Sequence, residues 1–395
     1  MRSRASALRA VLAAAVVLVA IAFLRHALTG LDVHATLRAV REVGPWAPLA
    51  LVPFVVAMAL DTTGIRVLLG AMETRDASAE RKTGFARLLP IRIATEALHV
   101  TAPAGFLVAD SATAALLDTR CGVPLGEGAV LAIARKWLVM RAHATYIVLG
   151  TLCGSGVLVA MSERVMGNRW LPWSVAASAL VPLALSLGVG SQFRGSRSFE
   201  RLRALIARLP WAAIRERAVR SRRSAAALDA TMGRIGAQRA ASWQATACFF
   251  GAWLFETAET CLLIRLVGGP LDLGLAMAVE VGISLLRSMA NVAPAGLGVQ
   301  DAGYAVVLQA MGLPAPTTAA FVLVKRGKEL VWIGVGYTIL AWLRRGRSLV
   351  HGATAVTAID AVASEVAALA NEVAVPVAPI ALADRPSARL VGRVA

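Results

Sequence analysis

Residues 293–303 read APAGLGVQDAG, with three glycines, one proline and one carboxylate set deep in an apolar half-chain. Proline removes a backbone donor and glycine frees the chain, so this stretch interrupts a helix rather than continuing one. An earlier stretch matches it. Residues 102–110 read APAGFLVAD, and one constant offset lays Pro103 on Pro294, Gly105 on Gly296, Val108 on Val299 and Asp110 on Asp301. After a one-residue slip, Gly122 falls on Gly312, Pro124 on Pro314, and the basic pair Arg135 and Lys136 on Lys325 and Arg326. An internal repeat sets the frame for every other reading. The chain reads as two related halves, each built around a broken helix.

Composition places those halves in a membrane. The chain has 395 residues, is 57% hydrophobic and has a mean hydropathy of +0.66. A soluble protein of this length needs far more polar surface. Several apolar windows reach the ~20 residues that cross a bilayer. The expected fold is an all-α, polytopic membrane helix bundle with two inverted repeats, each containing a broken or re-entrant helix. The net charge of +17 sits between apolar spans, which is the positive-inside pattern rather than a nucleic-acid surface. Cys121, Cys153, Cys248 and Cys261 show no C-x-x-C spacing, and the five histidines show no ligand spacing. Free thiols, no metal and no cofactor are expected.

The pattern divides the chain into five parts. Residues 1–45 hold a first span, Val11–Leu24, and a short loop. Residues 46–190 form the first membrane repeat, with spans at Trp46–Gly70, Ala129–Leu152 and Leu171–Gly190 and a hairpin over Leu88–Leu117. A charged loop is expected at Glu73–Arg87 and an outer loop at Ser162–Asn168. Residues 191–240 form an Arg-rich cytoplasmic loop, twelve Arg against Glu200, Glu216 and Asp229. Within it Leu202, Leu205, Ile206 and Leu209 recur at helical spacing, as on a helix lying on an anionic leaflet; a solvated basic loop is the other reading. Residues 241–347 form the second repeat, with spans at Trp243–Val267 and Thr317–Leu343 and the second break inside Leu271–Met311. Residues 348–395 are a tail with one short helix over Ile359–Val373 and a disordered end. The charges place both termini and the Arg-rich loop in the cytoplasm. The first hairpin then opens from the cytoplasm and the second from the opposite face.

Two sets of residues can carry chemistry. A helix restarting after a Pro–Gly break points free N–H groups into the membrane, and two such restarts make an anion-binding centre; kinks that merely permit tight packing are the alternative. The basic pairs form the second set. A mid-membrane charge costs ~2.5–3.5 kcal/mol on insertion scales, so each needs a partner. The partners available are Glu96, Asp110, Glu256, Glu259, Glu280 and Asp301. Either the bases line a phosphate-headgroup site or they are buried ion pairs that fix helix register. The chain has no P-loop, G-x-S-x-G, H-E-x-x-H or dinucleotide fingerprint.

PAGLGVQDAG, followed by GLP and then VKRGKEL, resembles the flippase-like membrane family that includes the transmembrane region of lysylphosphatidylglycerol synthases. The VKRGKE run is most similar to the branch associated with hopanoid biosynthesis. IRIATEALHVTAPAGFLVAD is similar to that family's first signature, with Glu96 at its glutamate. Leu107, Val108 and Ala109 stand where the family usually has a glycine pair, His99 replaces a typical Asn and Asp301 a typical Glu. No long polar region follows Arg347, so the synthase reaction is not expected to carry over.

The resemblance implies a non-enzymatic lipid translocase or lipid-transport accessory of the cell inner membrane. It would move an anionic or polyisoprenoid lipid between leaflets without ATP hydrolysis by this chain. The expected substrate-binding residues are Glu96, Pro103, Gly105, Asp110, Arg135, Lys136, Pro294, Gly296, Gly298, Asp301, Lys325, Arg326, Lys328 and Glu329. The rival readings are a membrane-embedded lipid-modifying transferase with Asp110 or Asp301 as base, and a structural partner that docks a lipid-biosynthesis enzyme. The expected partners are membrane lipid and the bilayer, with no nucleic acid.

Overall fold

The computed structural model describes residues 33–72, 83–102, 105–192, 204, 222–289 and 299–345. These residues are helical apart from short turns between helices, with no strand among them. Helix α1 (Val33–Val43) leads through a 3-10 segment (Gly44–Leu51) into α2 (Val52–Met72). Then come α3 (Phe85–Thr101), α4 (Gly105–Cys121), α5 (Leu125–Cys153), α6 (Ser155–Met166) and α7 (Leu171–Gln192). After the Arg-rich segment come α8 (Arg222–Ala237), α9 (Arg239–Leu266), α10 (Leu273–Met289), α11 (Val299–Ala310) and α12 (Ala315–Arg345).

The repeat is visible in how these helices start and stop. Helix α4 ends at Gly122 (φ 72°) and α11 at Gly312 (φ 92°). Both are in the left-handed region, where glycine carries no Cβ penalty. In each case a proline, Pro124 or Pro314, stands immediately before the next helix, α5 or α12. Helices α3 and α10 are each 17 residues long. At Ala102 the backbone becomes extended, and α4 restarts so close to α3 that a Cβ on Gly105 would lie 1.9 Å from the carbonyl oxygen of His99. Only glycine fits there.

Two helical stretches, His34–Met72 and Arg239–Leu266, are long and apolar enough to cross a membrane. Helices α5 and α6 together make a third such element, bent by 80°. The bend falls at Gly154, whose missing side chain lets α10 approach at Ala278. Helix α12 has 31 residues with Lys325, Arg326, Lys328 and Glu329 near its middle.

Buried side chains gather in two apolar cores. The first joins Leu68 and Met72 of α2, Leu88 and Ile91 of α3, Leu117 of α4, Leu131 and Leu138 of α5, Met232 and Ile235 of α8, Phe249 of α9 and Leu340 and Leu343 of α12. The second joins Val43 and Ala50, Tyr146 and Ile147 of α5, Leu158 of α6, Val175 of α7, Leu263 and Ile264 of α9, Val279 and Ile283 of α10, Leu308 of α11 and Phe321 of α12. Helices α5, α9 and α12 each supply both cores from opposite ends. On α9 and α12 the ionisable residues Glu256, Glu259, Lys325, Lys328 and Glu329 fall between the two contributions.

Three expected loops are shorter than the sequence implied. Helix α3 already begins at Phe85, inside the expected Glu73–Arg87 loop. The expected Ser162–Asn168 loop is helical to Met166 and turns at Gly167, left-handed at φ 65°. The last third of the Arg-rich stretch is α8, because Thr231, Met232 and Ile235 make a buried face against α5 and α2. The Val11–Leu24 span, the Leu202–Leu209 stripe and the Ile359–Val373 helix lie outside the described residues, as do Pro103, Pro294, Gly296 and Gly298.

Candidate functional site

Between the cores lies a cavity of about 710 Å³. Helices α2, α3, α4, α5 and α9 form most of its wall, and Ser284, Gln300 and the Lys328–Ile333 stretch of α12 complete it. Its polar lining is mainly ionic. Asp61, Glu96, Asp110, Glu256, Glu259 and Glu329 face Arg92, Arg135, Lys136 and Lys328, a lining of six carboxylates against four cations.

The charges are organised as two clusters. In the first, Asp61 of α2 accepts from Arg92 of α3 and from Arg135 of α5, whose Nη2 lies 2.6 Å from Oδ2 and Nε 3.1 Å from Oδ1. Arg92 also pairs with Glu96 one turn on, at 2.6 Å. Beside this network Lys136 Nζ donates to Asp110 Oδ2 at 2.7 Å. In the second cluster Lys325 Nζ of α12 reaches Glu259 Oε1 at 3.4 Å, Glu280 Oε1 at 3.3 Å and Thr260 Oγ1 at 3.2 Å. Lys328 Nζ donates to the same Glu259 oxygen at 2.5 Å. The Tyr304 and Thr260 hydroxyls donate to Glu280, Tyr304 at 2.9 Å. Beside it Arg326 pairs with Asp301 at 2.6 Å and with Glu329 at 2.5 Å. Charges in apolar surroundings persist only when partnered in this way.

The repeat therefore extends to the wiring. Arg135 and Lys325 stand equally far into α5 and α12. Each takes a carboxylate from the helix that precedes the hairpin, Asp61 or Glu259. The next residue, Lys136 or Arg326, takes the aspartate after the break, Asp110 or Asp301.

Of the residues expected from sequence, Glu96, Gly105, Asp110, Arg135, Lys136, Lys328 and Glu329 line the cavity. Asp301, Lys325 and Arg326 lie in the second cluster but do not line it. Sequence reasoning did not place Arg92, His143 or Trp332 at the site. His143 stacks on Trp253 with centroids 4.0 Å apart and shares a 3.2 Å hydrogen bond with Ser284. Trp332 packs on Phe54 at 4.6 Å, and its buried Nε1 donor has no partner among the described residues. Arg92 had a legible signal, since Arg92 and Glu96 are spaced i,i+4 on one apolar helix. Nothing comparable marked the other two.

Aromatic faces add to the lining. Lys136 sits 4.3 Å from the Phe106 ring centroid, Lys328 5.4 Å from that of Phe54, and Arg135 5.8 Å from that of Phe249. The lining cations Arg135, Lys136 and Lys328 are thus held by both a carboxylate and a ring.

No curated protein and no solved structure matches the chain. A family match does exist, and it covers the cores, the cavity and both clusters. Residues 10–359 match the family described as lysylphosphatidylglycerol synthase TM region, and the chain is a membrane-embedded member of that family.

Proposed function

We propose that the protein is a lipid translocase that carries a headgroup through the ionic cavity while the acyl chains stay in the surrounding lipid. One observation carries this reading: a large, ion-lined cavity lies between two apolar cores, where charge is costly unless it serves a polar ligand. A membrane protein in lipid metabolism or transport agrees with the family. The reading needs no ATP, cofactor or covalent step on this chain, and it places the protein in a cell inner membrane.

The two cores support the inverted-repeat arrangement. Helices α3 and α4 reach the first core with the ends remote from their break, Leu88 and Leu117, as a hairpin entering from that side does. Helices α10 and α11 do the same in the second core, through Leu275 and Leu308. Helices α5 and α12 run in opposite senses between the cores. Helix α8 and the Arg344 and Arg345 end of α12 lie with the first core, which puts that side in the cytoplasm by the positive-inside rule.

The lining narrows the lipid. Its lysines and arginines are already neutralised, and carboxylates outnumber them. A purely anionic headgroup meets a net negative wall, and an uncharged polyisoprenoid has no use for one. A headgroup with both phosphate and amine fits better, the phosphate toward Arg135 and Lys136, the amine toward Glu256 and Glu259. The name of the family denotes such a headgroup, since lysylphosphatidylglycerol bears lysine amines and a phosphate.

The test is leaflet exchange in vesicles of phosphatidylethanolamine and phosphatidylglycerol carrying fluorescent analogues of each. The protein is expected to accelerate exchange, of the ethanolamine lipid more than the glycerol lipid. Trp332→Phe keeps an aromatic ring near Phe54 and removes the Nε1 donor together with part of the indole, so it should slow exchange. Arg135→Gln with Lys136→Gln should abolish exchange. A new covalent lipid product would make the protein a transferase. Neither exchange nor product would leave it a structural partner of a biosynthetic enzyme.

A further inference from the structure

Among the described residues the buried charged side chains are Asp61, Arg141, Glu259, Glu280 and Lys325. Asp61, Glu259, Glu280 and Lys325 all belong to the ion-pair clusters. Arg141 of α5, 7% exposed, has no carboxylate within ion-pair distance among the described residues. It does not line the cavity. It has no counterpart in the other half either, because the alignment that lays Arg135 on Lys325 lays Arg141 on Val331.

Arg141 is instead held by neutral groups at the start of α9. Its Nε lies 3.2 Å from Thr246 Oγ1, and its Nη2 lies 3.1 Å from both the carbonyl and the hydroxyl oxygen of Ser242. Its guanidinium carbon stands 4.3 Å from the Trp243 ring centroid. These contacts orient the cation without neutralising it, and an unneutralised charge among membrane helices is costly. Nη1 makes no hydrogen bond to a described residue, yet it is not closed off from the surface. The Ser242 hydroxyl accepts from Nη2, which leaves its own proton to donate.

The place suits a lipid headgroup. Helix α9 is apolar enough to cross a membrane and has 28 residues. That is about 42 Å of helix against a hydrocarbon layer of ~30 Å, so its first turn lies among headgroups. Ser242 and Trp243 end that turn. Trp243 is 57% exposed, as an interfacial tryptophan is. The exposed Arg239 stands one turn before it on the same helix face. No acidic residue follows Glu127 in α5 or precedes Glu256 in α9, so an amine on the same headgroup would meet no helix carboxylate there.

We infer that Arg141, Ser242, Trp243 and Arg239 form a binding site for the phosphate of an anionic, amine-free phospholipid in the leaflet on the α8 side, outside the cavity. The phosphate accepts from Arg141 Nη1 and the Ser242 hydroxyl, Arg239 adds a second cation, and the glycerol backbone lies along the Trp243 ring. The site joins α5 to α9 through a lipid, and it stands whether or not the cavity moves lipid.

The test is a titration of the full-length protein in a neutral detergent with phosphatidylglycerol, phosphatidylethanolamine, phosphatidylcholine or inorganic phosphate, read as melting temperature. Phosphatidylglycerol should raise it at the lowest concentration. Arg141→Met should need about tenfold more phosphatidylglycerol for half the rise, the loss expected of one charge-assisted hydrogen bond, and Arg141→Lys should recover most of the response. Arg239→Gln with Trp243→Ala changes only exposed side chains and should weaken the response as well, which keeps the site testable if Arg141→Met does not fold. A phosphatidylglycerol response unchanged in Arg141→Met, or unchanged in the double variant, overturns the inference. So does an equal response to phosphatidylethanolamine. Inorganic phosphate giving the same rise without lipid would make this a free-phosphate site and overturn the lipid assignment.

Discussion

Gly105 shows how one residue sets the geometry of the first break. A methyl at this position would sit 1.9 Å from the His99 carbonyl oxygen, on rigid backbone at a helix end. The two arms of the hairpin must then separate, and the cavity wall they form must move with them. Gly105→Ala is expected to cost about 1–3 kcal/mol, as other overpacking changes do, and to lower the melting temperature in detergent. Gly70 is the control. Nothing lies within 4 Å of its Cβ position and it is exposed on α2, so Gly70→Ala should gain about 0.5–1 kcal/mol of helix stability. Equal effects at the two positions would show that the close approach at Gly105 has no energetic weight.

At the scale of elements, the ion pairs decide which helices move together. Lys325 of α12 is held by Glu259 of α9 and Glu280 of α10, all three almost fully buried. Lys325→Met removes a buried cation shared by Glu259, which keeps Lys328, and Glu280, which keeps the Tyr304 and Thr260 hydroxyls. Removing one partner of a buried ion pair costs about 3–5 kcal/mol, and the melting temperature in detergent should fall accordingly. Glu280→Gln in the same chain should recover most of the loss, because the amide oxygen still accepts from Tyr304 and Thr260. Arg135→Met should be milder, since Asp61 keeps Arg92. A Lys325→Met protein as stable as wild type would mean that the second cluster does not hold α9, α10 and α12 together.

For the whole molecule, the decisive property is orientation. The first core carries α8 and the basic end of α12, and the second carries the α6–α7 turn. Single cysteines at Asp76 and Arg217 should label only from the cytoplasmic side, and one at Asn168 only from the opposite side. Labelling of Asp76 and Asn168 from one face would break the inverted arrangement. The exposed Trp170 and Trp173 lie next to Asn168, where interfacial tryptophans anchor a membrane protein to the headgroup layer.

The sequence by itself determined the class of the molecule and the parts of its repeat. Hydropathy implies a membrane helix bundle because apolar surface on that scale has no soluble solution. The Gly122 and Gly312 caps and the two basic pairs were legible because their chemistry is local. Which carboxylate answers which base was not legible. Asp61 and Arg135 are far apart in the chain, as are Glu259 and Lys325, and only the packing of α2 on α5 and of α9 on α12 joins them. The expected loop at Ser162–Asn168 and the 222–237 part of the expected Arg-rich loop are helical for the same reason: neighbours bury one face of α6 and of α8. The unequal exposure of matched residues, 22% for the Arg135 side chain against 8% for Lys325, is likewise a tertiary property. The basic pairs and the aspartates after each break are alike in sequence, but the side chains packed around them are not, since Arg92 and Glu96 surround the first pair and Glu280, Thr260 and Tyr304 the second.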